Sequence, residues 1–282
     1  MKNIIMTFRE KKEKGEKIAM LTCYDYSTAR LMDAAGIDGV LIGDSLGNTM
    51  LGYPDTLSVT MEDMIRYSTG VARGCENALV VMDMPFMSYQ LSVEQGLMNA
   101  GRLMKEARGQ AVKLEGGARV CPQIRAMTDA GIPVMAHLGL TPQSVNAFGG
   151  HRVQGKTDDA ARQLMEDAHK IEDAGAFAVV LECVPAPLAA RISQQLKIPT
   201  IGIGAGNGCD GQVLVYQDML GMFNDFTPKF VKHFSNIGEE MSRAFRDYIS
   251  EVRSGAFPDE EHSFKMKNED ILSRLYYSRW QV

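Results

Sequence analysis

The chain has 282 residues, and its 45% of hydrophobic and 23% of charged residues are typical of a globular protein with a substantial core. The formal net charge is −5 and the basic residues are dispersed, which argues against a nucleic-acid-binding surface. No apolar run reaches the roughly 18 residues of a membrane span, and the five cysteines form no CxxC pair. We therefore expect a soluble, cytoplasmic protein with reduced thiols and no zinc site.

Short apolar runs alternate with helical segments along most of the chain. Eight runs are predicted as strands, at about residues 17–23, 39–44, 78–84, 111–116, 133–138, 176–183, 199–204 and 212–217. Helical spacing is clear at residues 26–35, 60–74, 92–108 and 158–174. Eight strand–helix units predict an α/β fold of the (β/α)8 TIM-barrel type, with an open doubly wound sheet as the alternative.

Local signals mark the ends of several helices. Thr60 with Asp63, and Ser92 with Gln95, are typical of helix N-caps. Three helical segments run into a glycine that suits a C-cap: Gly36, Gly131 and Gly175. No linker divides the chain, so we predict one domain over residues 1–282, with an appendage at about residues 256–282.

Four of the predicted strands end on an acid: Asp44, Asp83, Glu115 and Glu182. Parallel strands of an α/β fold place their carboxyl ends at one rim, where ligands bind. Carboxylates that converge there need a cation, a shared proton or basic neighbours. The alternative for each single acid is a cap on the next helix.

Asp44 and Asp83 end consecutive strands, which lie about 4.8 Å apart in a sheet. Two carboxylates at that spacing suit a hard cation, and we predict Mg²⁺, with Mn²⁺ as the second choice. Magnesium keeps positions for water and for a chelating substrate such as a 2-oxo acid.

Lys113 and Glu115 lie on the same face of one predicted strand because side chains alternate. A lysine in a buried strand must be paired or must meet an anion. Two interpretations stay open. The first is a structural Lys113–Glu115 ion pair, and the second is a lysine that binds a substrate carboxylate while Glu115 lies near the metal.

Glu182 ends the sixth strand before an apolar, rigid turn, which favours a general base, with a structural salt bridge as the alternative. His137 ends the fifth strand and is either a hydrogen-bond donor to substrate or a structural residue.

The glycine-rich segment 148–156 is predicted to be a mobile loop that closes over the site, or an ordinary connection. Residues 206–211 match GxGxxG, but a strand follows them, so we reject a dinucleotide site.

Seven motifs occur in the order of one family: GDSLG (43–47), VMDMP (81–85), VKLEG (112–116), HLGLTPQ (137–143), GGHRVQG (149–155), LECVP (181–185) and IGIGAG (201–206). Over residues 17–257 the chain resembles the ketopantoate hydroxymethyltransferases. The resemblance implies a (β/α)8 barrel that assembles as a decamer of two pentameric rings. It also implies transfer of a hydroxymethyl group from 5,10-methylenetetrahydrofolate to 3-methyl-2-oxobutanoate, an early step towards pantothenate and coenzyme A.

The resemblance also assigns roles to residues of this chain. Asp44 and Asp83 match magnesium ligands, with Glu115 beside the metal and reaching it through water. Glu182 matches the proton acceptor. Substrate contacts are implied for Asp44, Ser45, Asp83, Lys113 and His137.

One position departs from the family pattern. The eighth strand of the family usually ends in His-Asp, whereas this chain has Gln217 before Asp218. The role of the missing histidine is therefore open. The alternative functions are a magnesium-dependent enolate lyase or aldolase on the same barrel, and a non-catalytic oligomeric scaffold.

Overall fold

Eight parallel strands close into a barrel in the order of the sequence. The computed structural model of the chain describes residues 2–150, 152–222 and 227–267. The strands are β1 (Ile18–Thr22), β2 (Gly39–Ile42), β3 (Leu79–Asp83), β4 (Ala111–Glu115), β5 (Val134–Gly139), β6 (Ala178–Glu182), β7 (Thr200–Ile203) and β8 (Gly211–Leu214). Because β8 pairs with β1, the predicted (β/α)8 barrel is confirmed and the open sheet is excluded.

Helices connect most of the strands. They are α1 (Ile5–Lys14), α2 (Tyr26–Ala34), α3 (Leu46–Thr49), α4 (Met61–Gly74), α5 (Val93–Arg102), α6 (Cys121–Asp129), α7 (Val145–Phe148), α8 (Asp158–Asp173), α9 (Ala186–Gln195), α10 (Tyr216–Met219) and α11 (Ile237–Ser254). Short 3₁₀ turns lie at Ala118–Val120 and Pro142–Ser144, and a π-helical turn lies at Leu103–Ala107.

The predicted helix ends are confirmed. Thr60 and Asp63 form a capping box at the start of α4. The Ser92 side chain accepts a hydrogen bond from the Gln95 N–H at the start of α5. The three predicted C-cap glycines adopt the left-handed conformation, with φ of 84°, 81° and 102° for Gly36, Gly131 and Gly175.

Two predicted boundaries were wrong. The eighth strand stops at Leu214, because the Tyr216 N–H donates to the Thr22 Oγ1 at 3.2 Å and the chain enters α10. Gln217 therefore lies on a helical turn and not at the end of a strand. The predicted helix 92–108 is α-helical only to Arg102 and continues as the π-helical turn, which ends where Arg108 takes φ of 61°.

Apolar side chains fill the barrel at its N-terminal end. Phe8 of α1 is fully buried there against the first residues of several strands, including Ile18 and Leu79. Lys11 pairs with Asp38 at 2.7 Å and Lys12 with Asp210 at 2.7 Å. These ion pairs and the buried Phe8 hold α1 against the N-terminal end of the barrel.

The chain divides into two compact units, residues 1–235 with the barrel and residues 236–282 with α11. The predicted appendage at 256–282 belongs to the second unit, and its residues 268–282 lie outside the described ranges. The assignment of one domain stays a prediction. In the ranges that the structure describes, no helix combines the length and the apolar composition that crossing a membrane requires.

Candidate active site

All four predicted acids line one cavity of about 450 Å³ at the carboxyl ends of the strands. Asp83, Glu115 and Glu182 are the last residues of β3, β4 and β6, and Asp44 lies two residues beyond β2. Three of these acids are almost fully buried, while the Glu182 side chain keeps 16% of its surface exposed. The structure therefore brings together the acids that the sequence places at one rim.

Lys113 pairs across the sheet. Its Nζ lies 2.6 Å from the Asp83 Oδ1, because Asp83 and Lys113 are register partners on β3 and β4. The alternative of a Lys113–Glu115 ion pair along one strand is wrong, since two residues on one strand are farther apart than partners on neighbouring strands. Burial would lower the pKa of Lys113, but the carboxylates of Asp83, Glu115 and Asp44 outweigh it and raise that pKa.

Asp44 and Asp83 are held close to each other. The Asp44 backbone N–H donates to the Asp83 Oδ2 at 3.0 Å. Burial raises the pKa of both carboxyl groups, and for Asp44 the charges of Asp83 and Glu115 add to that effect. Such a pair of acids favours either a proton or a cation between them.

His137 lies between the other two acids. Its Nδ1 is 3.4 Å from the Glu115 Oε1 and its Nε2 is 3.4 Å from the Glu182 Oε2. Burial and Lys113 oppose protonation of the ring, but the two carboxylates prevail and raise the pKa of His137 to about 9. Although burial alone would raise it, the pKa of Glu115 is lowered by His137 and Lys113. The imidazole thus lies between Glu115 and Glu182, and the Lys113 Nζ lies 3.4 Å from its Nδ1.

The remaining predicted contact is Ser45, which lines the same cavity. Its Oγ lies 2.7 Å from the Tyr24 hydroxyl, a fully buried group. Beyond the polar residues the cavity wall is apolar, with Val180, Ile203 and Phe230 among its members. A polar floor under an apolar wall suits a small acid with a branched hydrocarbon tail.

Among the described residues of the glycine-rich segment 148–156, one lines the cavity. Val153 lines the cavity, and the Gln154 N–H donates to the Cys183 carbonyl oxygen at 2.9 Å. His151 lies outside the described residues. Closure of this segment stays a prediction.

The strand predicted after residues 206–211 is present as β8, which begins at Gly211.

Gln143 and Tyr89 are functional candidates that the sequence analysis did not single out. The Gln143 side chain donates to the Asp44 Oδ2 at 2.9 Å, and its backbone N–H donates to the Glu115 Oε2 at 3.0 Å. Tyr89 donates to the Gln143 Oε1 at 2.8 Å. Gln143 lies on the turn Pro142–Ser144, shortly after the end of β5. Its position near the rim is the sequence signal that could have identified it as a site residue.

The donor set at this rim is one of carboxylate oxygens. Within the described residues no three His, Cys, Asp or Glu side chains form a group that holds a metal by itself. Mg²⁺ does not require such a cage, since it is usually bound by one or two carboxylates, waters and substrate oxygens. The cavity is lined by five carboxylate residues, the four acids and Asp218, against the basic residues Lys113, His137 and Lys229. Negative charge is therefore in excess, and Asp44 and Asp83 fit a divalent cation.

Two solved structures with the same fold are distant from this chain in sequence. A phosphonopyruvate hydrolase in complex with oxalate and Mg²⁺ has a TM-score of 0.61 and 12% identity, and the match covers 99% of each chain. A 2,3-dimethylmalate lyase of the PEP mutase/isocitrate lyase superfamily has a TM-score of 0.57 and 16% identity, covering 98% of this chain and 95% of the other. These likenesses concern the barrel fold.

Sequence relatives are much closer. The chain is 63% identical over 276 residues to the 3-methyl-2-oxobutanoate hydroxymethyltransferase of Enterococcus faecalis, covering 98% of this chain and 100% of that protein. The protein of the same name from Clostridium novyi is also 63% identical with the same coverage. The model of the family described as ketopantoate hydroxymethyltransferase matches residues 2–260. The chain therefore belongs to the ketopantoate hydroxymethyltransferase family.

Proposed function

We propose that this enzyme transfers a hydroxymethyl group from 5,10-methylenetetrahydrofolate to 3-methyl-2-oxobutanoate, giving 2-dehydropantoate (ketopantoate). Membership of the family supports the reaction in pantothenate biosynthesis. The observation that carries the proposal is the convergence of four acids with Lys113 and His137 on one cavity. That arrangement offers a base, a cation site and a carboxylate-binding lysine within reach of one small substrate.

Asp44 and Asp83 are the proposed magnesium ligands, with Glu115 beside the ion. The support is the fit of the donor set described above, and the phosphonopyruvate hydrolase of the same fold is named as a complex with Mg²⁺. When bound, the ion supplies positive charge that stabilises the negative charge developing on the substrate keto oxygen. The residues also leave room for substrate oxygens, because Mg²⁺ keeps positions that proteins do not fill.

Glu182 is the proposed base that removes the C3 proton of the oxo acid. It is the most exposed of the four acids and lines the cavity, while His137 beside it is buried. The His137 Nε2 lies 3.4 Å from the Glu182 Oε2, which places the ring next to the proposed base. In this position the Glu182 carboxylate accepts the C3 proton of the oxo acid without having to move.

The other side chains orient the substrate. Lys113 offers its ammonium group to the substrate carboxylate, and Ser45 offers a hydroxyl that Tyr24 fixes. Apolar wall residues such as Val180 and Ile203 suit the two methyl groups of the oxo acid. Holding both reactants in one geometry contributes about 7 kcal/mol or more to lowering a two-substrate barrier.

The folate donor and a decameric assembly rest on the family resemblance, a cytoplasmic location rests on composition and cysteine content, and all three remain proposals. A cavity of about 450 Å³ lies in the range that accommodates drug-sized ligands. It therefore has room for a five-carbon acid together with the reactive end of a second substrate.

The test is proton exchange at C3 of 3-methyl-2-oxobutanoate in D₂O, followed by proton NMR with Mg²⁺ titrated into metal-free protein. We expect exchange that depends on Mg²⁺ and needs no folate, and ketopantoate only after 5,10-methylenetetrahydrofolate is added. Cleavage of small oxo acids without folate would indicate a lyase instead. Exchange that is absent or indifferent to Mg²⁺ would contradict the proposed chemistry.

A further inference from the structure

Gln143 contacts two acids that come from different strands. It lies on the 3₁₀ turn Pro142–Ser144 and is buried, with 6% of its surface exposed. Its Nε2 donates to the Asp44 Oδ2 at 2.9 Å, and its backbone N–H donates to the Glu115 Oε2 at 3.0 Å. Gln143 thus donates a hydrogen bond to one oxygen of each of the two carboxylates.

The Gln143 amide has only one acceptable orientation. Its Nε2 also donates to the Met84 carbonyl oxygen at 2.9 Å, so both of its hydrogens are used. Its Oε1 accepts from the Tyr89 hydroxyl at 2.8 Å and from the Gln90 Nε2 at 3.1 Å. A flipped amide would place its oxygen against the Asp44 carboxylate and the Met84 carbonyl, where no hydrogen is available.

Tyr89 fixes this orientation and ties it to β4. Its hydroxyl is fully buried and accepts the Glu115 backbone N–H at 3.0 Å. The single hydroxyl hydrogen has two acceptors in reach, and the Gln143 Oε1 at 2.8 Å is closer than the Glu115 carbonyl oxygen at 3.2 Å. Tyr89 therefore connects the backbone of one acid to the amide that holds the other.

We propose that Gln143, supported by Tyr89, is a positioning residue that sets the Asp44 and Glu115 carboxylates for the cation. The proposal rests on the magnesium site of the proposed function. Carboxylates held by neighbouring hydrogen bonds lose less orientational freedom when they bind a metal, and removing such a partner typically costs 10- to 100-fold in metal affinity. Gln143 gives both carboxylates this support at once and itself contacts no substrate.

The experiment measures Mn²⁺ binding to metal-free protein by the EPR signal of free Mn²⁺, which needs no turnover. Gln143→Glu replaces the amide with an isosteric acid that faces Asp44, and Gln143→Met removes the donor without adding charge. We expect Mn²⁺ affinity to fall by about tenfold or more in Gln143→Met and by about threefold in Tyr89→Phe, and to fall less in Gln143→Glu, where the added negative charge attracts the cation.

Asn99→Asp is the matched control. Asn99 is also a buried amide, and its Nδ2 donates to the Ser88 carbonyl oxygen at 2.7 Å, away from the acids. We expect this variant to lose stability without losing Mn²⁺ affinity. The Mg²⁺ concentration for half-maximal activity should rise in Gln143→Met and stay unchanged in the control.

The outcomes separate the two proposals. Wild-type protein that binds no Mn²⁺ would refute the metal site of the proposed function and this inference with it. Wild-type binding with unchanged affinity in folded Gln143→Met would overturn the positioning role alone. If Gln143→Glu does not fold, Gln143→Met and Tyr89→Phe decide the question, with folding checked by circular dichroism.

Discussion

The two ends of the barrel are built from the same eight strands but are filled in opposite ways. At the N-terminal end, Phe8 and the apolar residues at the start of the strands pack into a closed layer. At the C-terminal end, the buried positions carry Asp44, Asp83, Lys113 and His137. The βα loops lie at the C-terminal end, where (β/α)8 barrels place their active sites, and the polar residues of the last layer follow this polarity.

The contrast has an energetic side. Apolar burial contributes roughly 25 cal/mol per Å² at the N-terminal end. Burial of charges costs several kcal/mol for each ion at the other end, and close pairs such as Lys113 with Asp83 at 2.6 Å offset that cost only in part. Inside the barrel, stability is therefore expected to come mainly from the N-terminal end and activity from the C-terminal rim. The four variants below test this division.

The largest effect is expected for Glu182→Gln at the rim. The amide cannot accept the C3 proton, so kcat should fall by about 10³- to 10⁴-fold. Deuterium exchange at C3 should be lost while binding of the oxo acid and Mg²⁺ persists. The free energy of unfolding in urea should change by no more than about 1 kcal/mol, since one contact to His137 is altered. Full exchange in this variant would disprove the assignment of the base.

Phe8→Ala at the N-terminal end should behave in the opposite way. It empties the space of a fully buried aromatic ring and should lower the free energy of unfolding by about 3–4 kcal/mol. The kcat/KM of the folded protein should stay within about twofold of wild type. Phe234, which is 62% exposed, supplies the control, because Phe234→Ala should cost no more than about 0.5 kcal/mol. A large loss of activity in folded Phe8→Ala would contradict the division.

Gly39→Ala tests the same packed layer by overfilling it. A Cβ at Gly39 would lie 2.9 Å from the Phe8 Cζ and 3.2 Å from the Met20 Cε. We expect a loss of about 2 kcal/mol in urea unfolding. Gly101→Ala on α5 is the matched control, since no atom lies within 4 Å of its added methyl group. That change should be neutral or should stabilise by up to about 1 kcal/mol. Equal losses of stability for Gly39→Ala and Gly101→Ala would argue against tight packing at the N-terminal end of the barrel.

Tyr24→Phe is expected to have the smallest effect, confined to the rim. It removes the hydroxyl that lies 2.7 Å from the Ser45 Oγ and leaves the ring in place. Loss of one such hydrogen bond is worth about 1 kcal/mol, which corresponds to about a fivefold higher KM for the oxo acid. Steady-state kinetics at saturating Mg²⁺ measures this change. An unchanged KM would show that the Ser45 hydroxyl does not need Tyr24 for its orientation.

Much of the fold was predictable because its signals are local. Apolar runs identified eight strands, and the Thr60–Asp63 capping box and the glycines after α2 and α8 marked helix ends correctly. The end of β8 was mispredicted because it depends on Thr22, which is remote in sequence and takes the Tyr216 N–H. The π-helical turn at Leu103–Ala107 likewise has no simple sequence pattern.

The candidate site was predictable to the extent that strand ends converge. The sequence by itself determined that Asp44, Asp83, Glu115 and Glu182 reach one rim, because parallel strands of a barrel all point the same way. The tertiary structure alone decided which side chains pair with each other at the rim. Lys113 takes Asp83 through strand register, His137 joins Glu115 to Glu182, and Gln143 supports two acids at once. These pairings depend on distances of a few ångströms between segments that are far apart in the chain. Local patterns in the sequence do not reveal such distances.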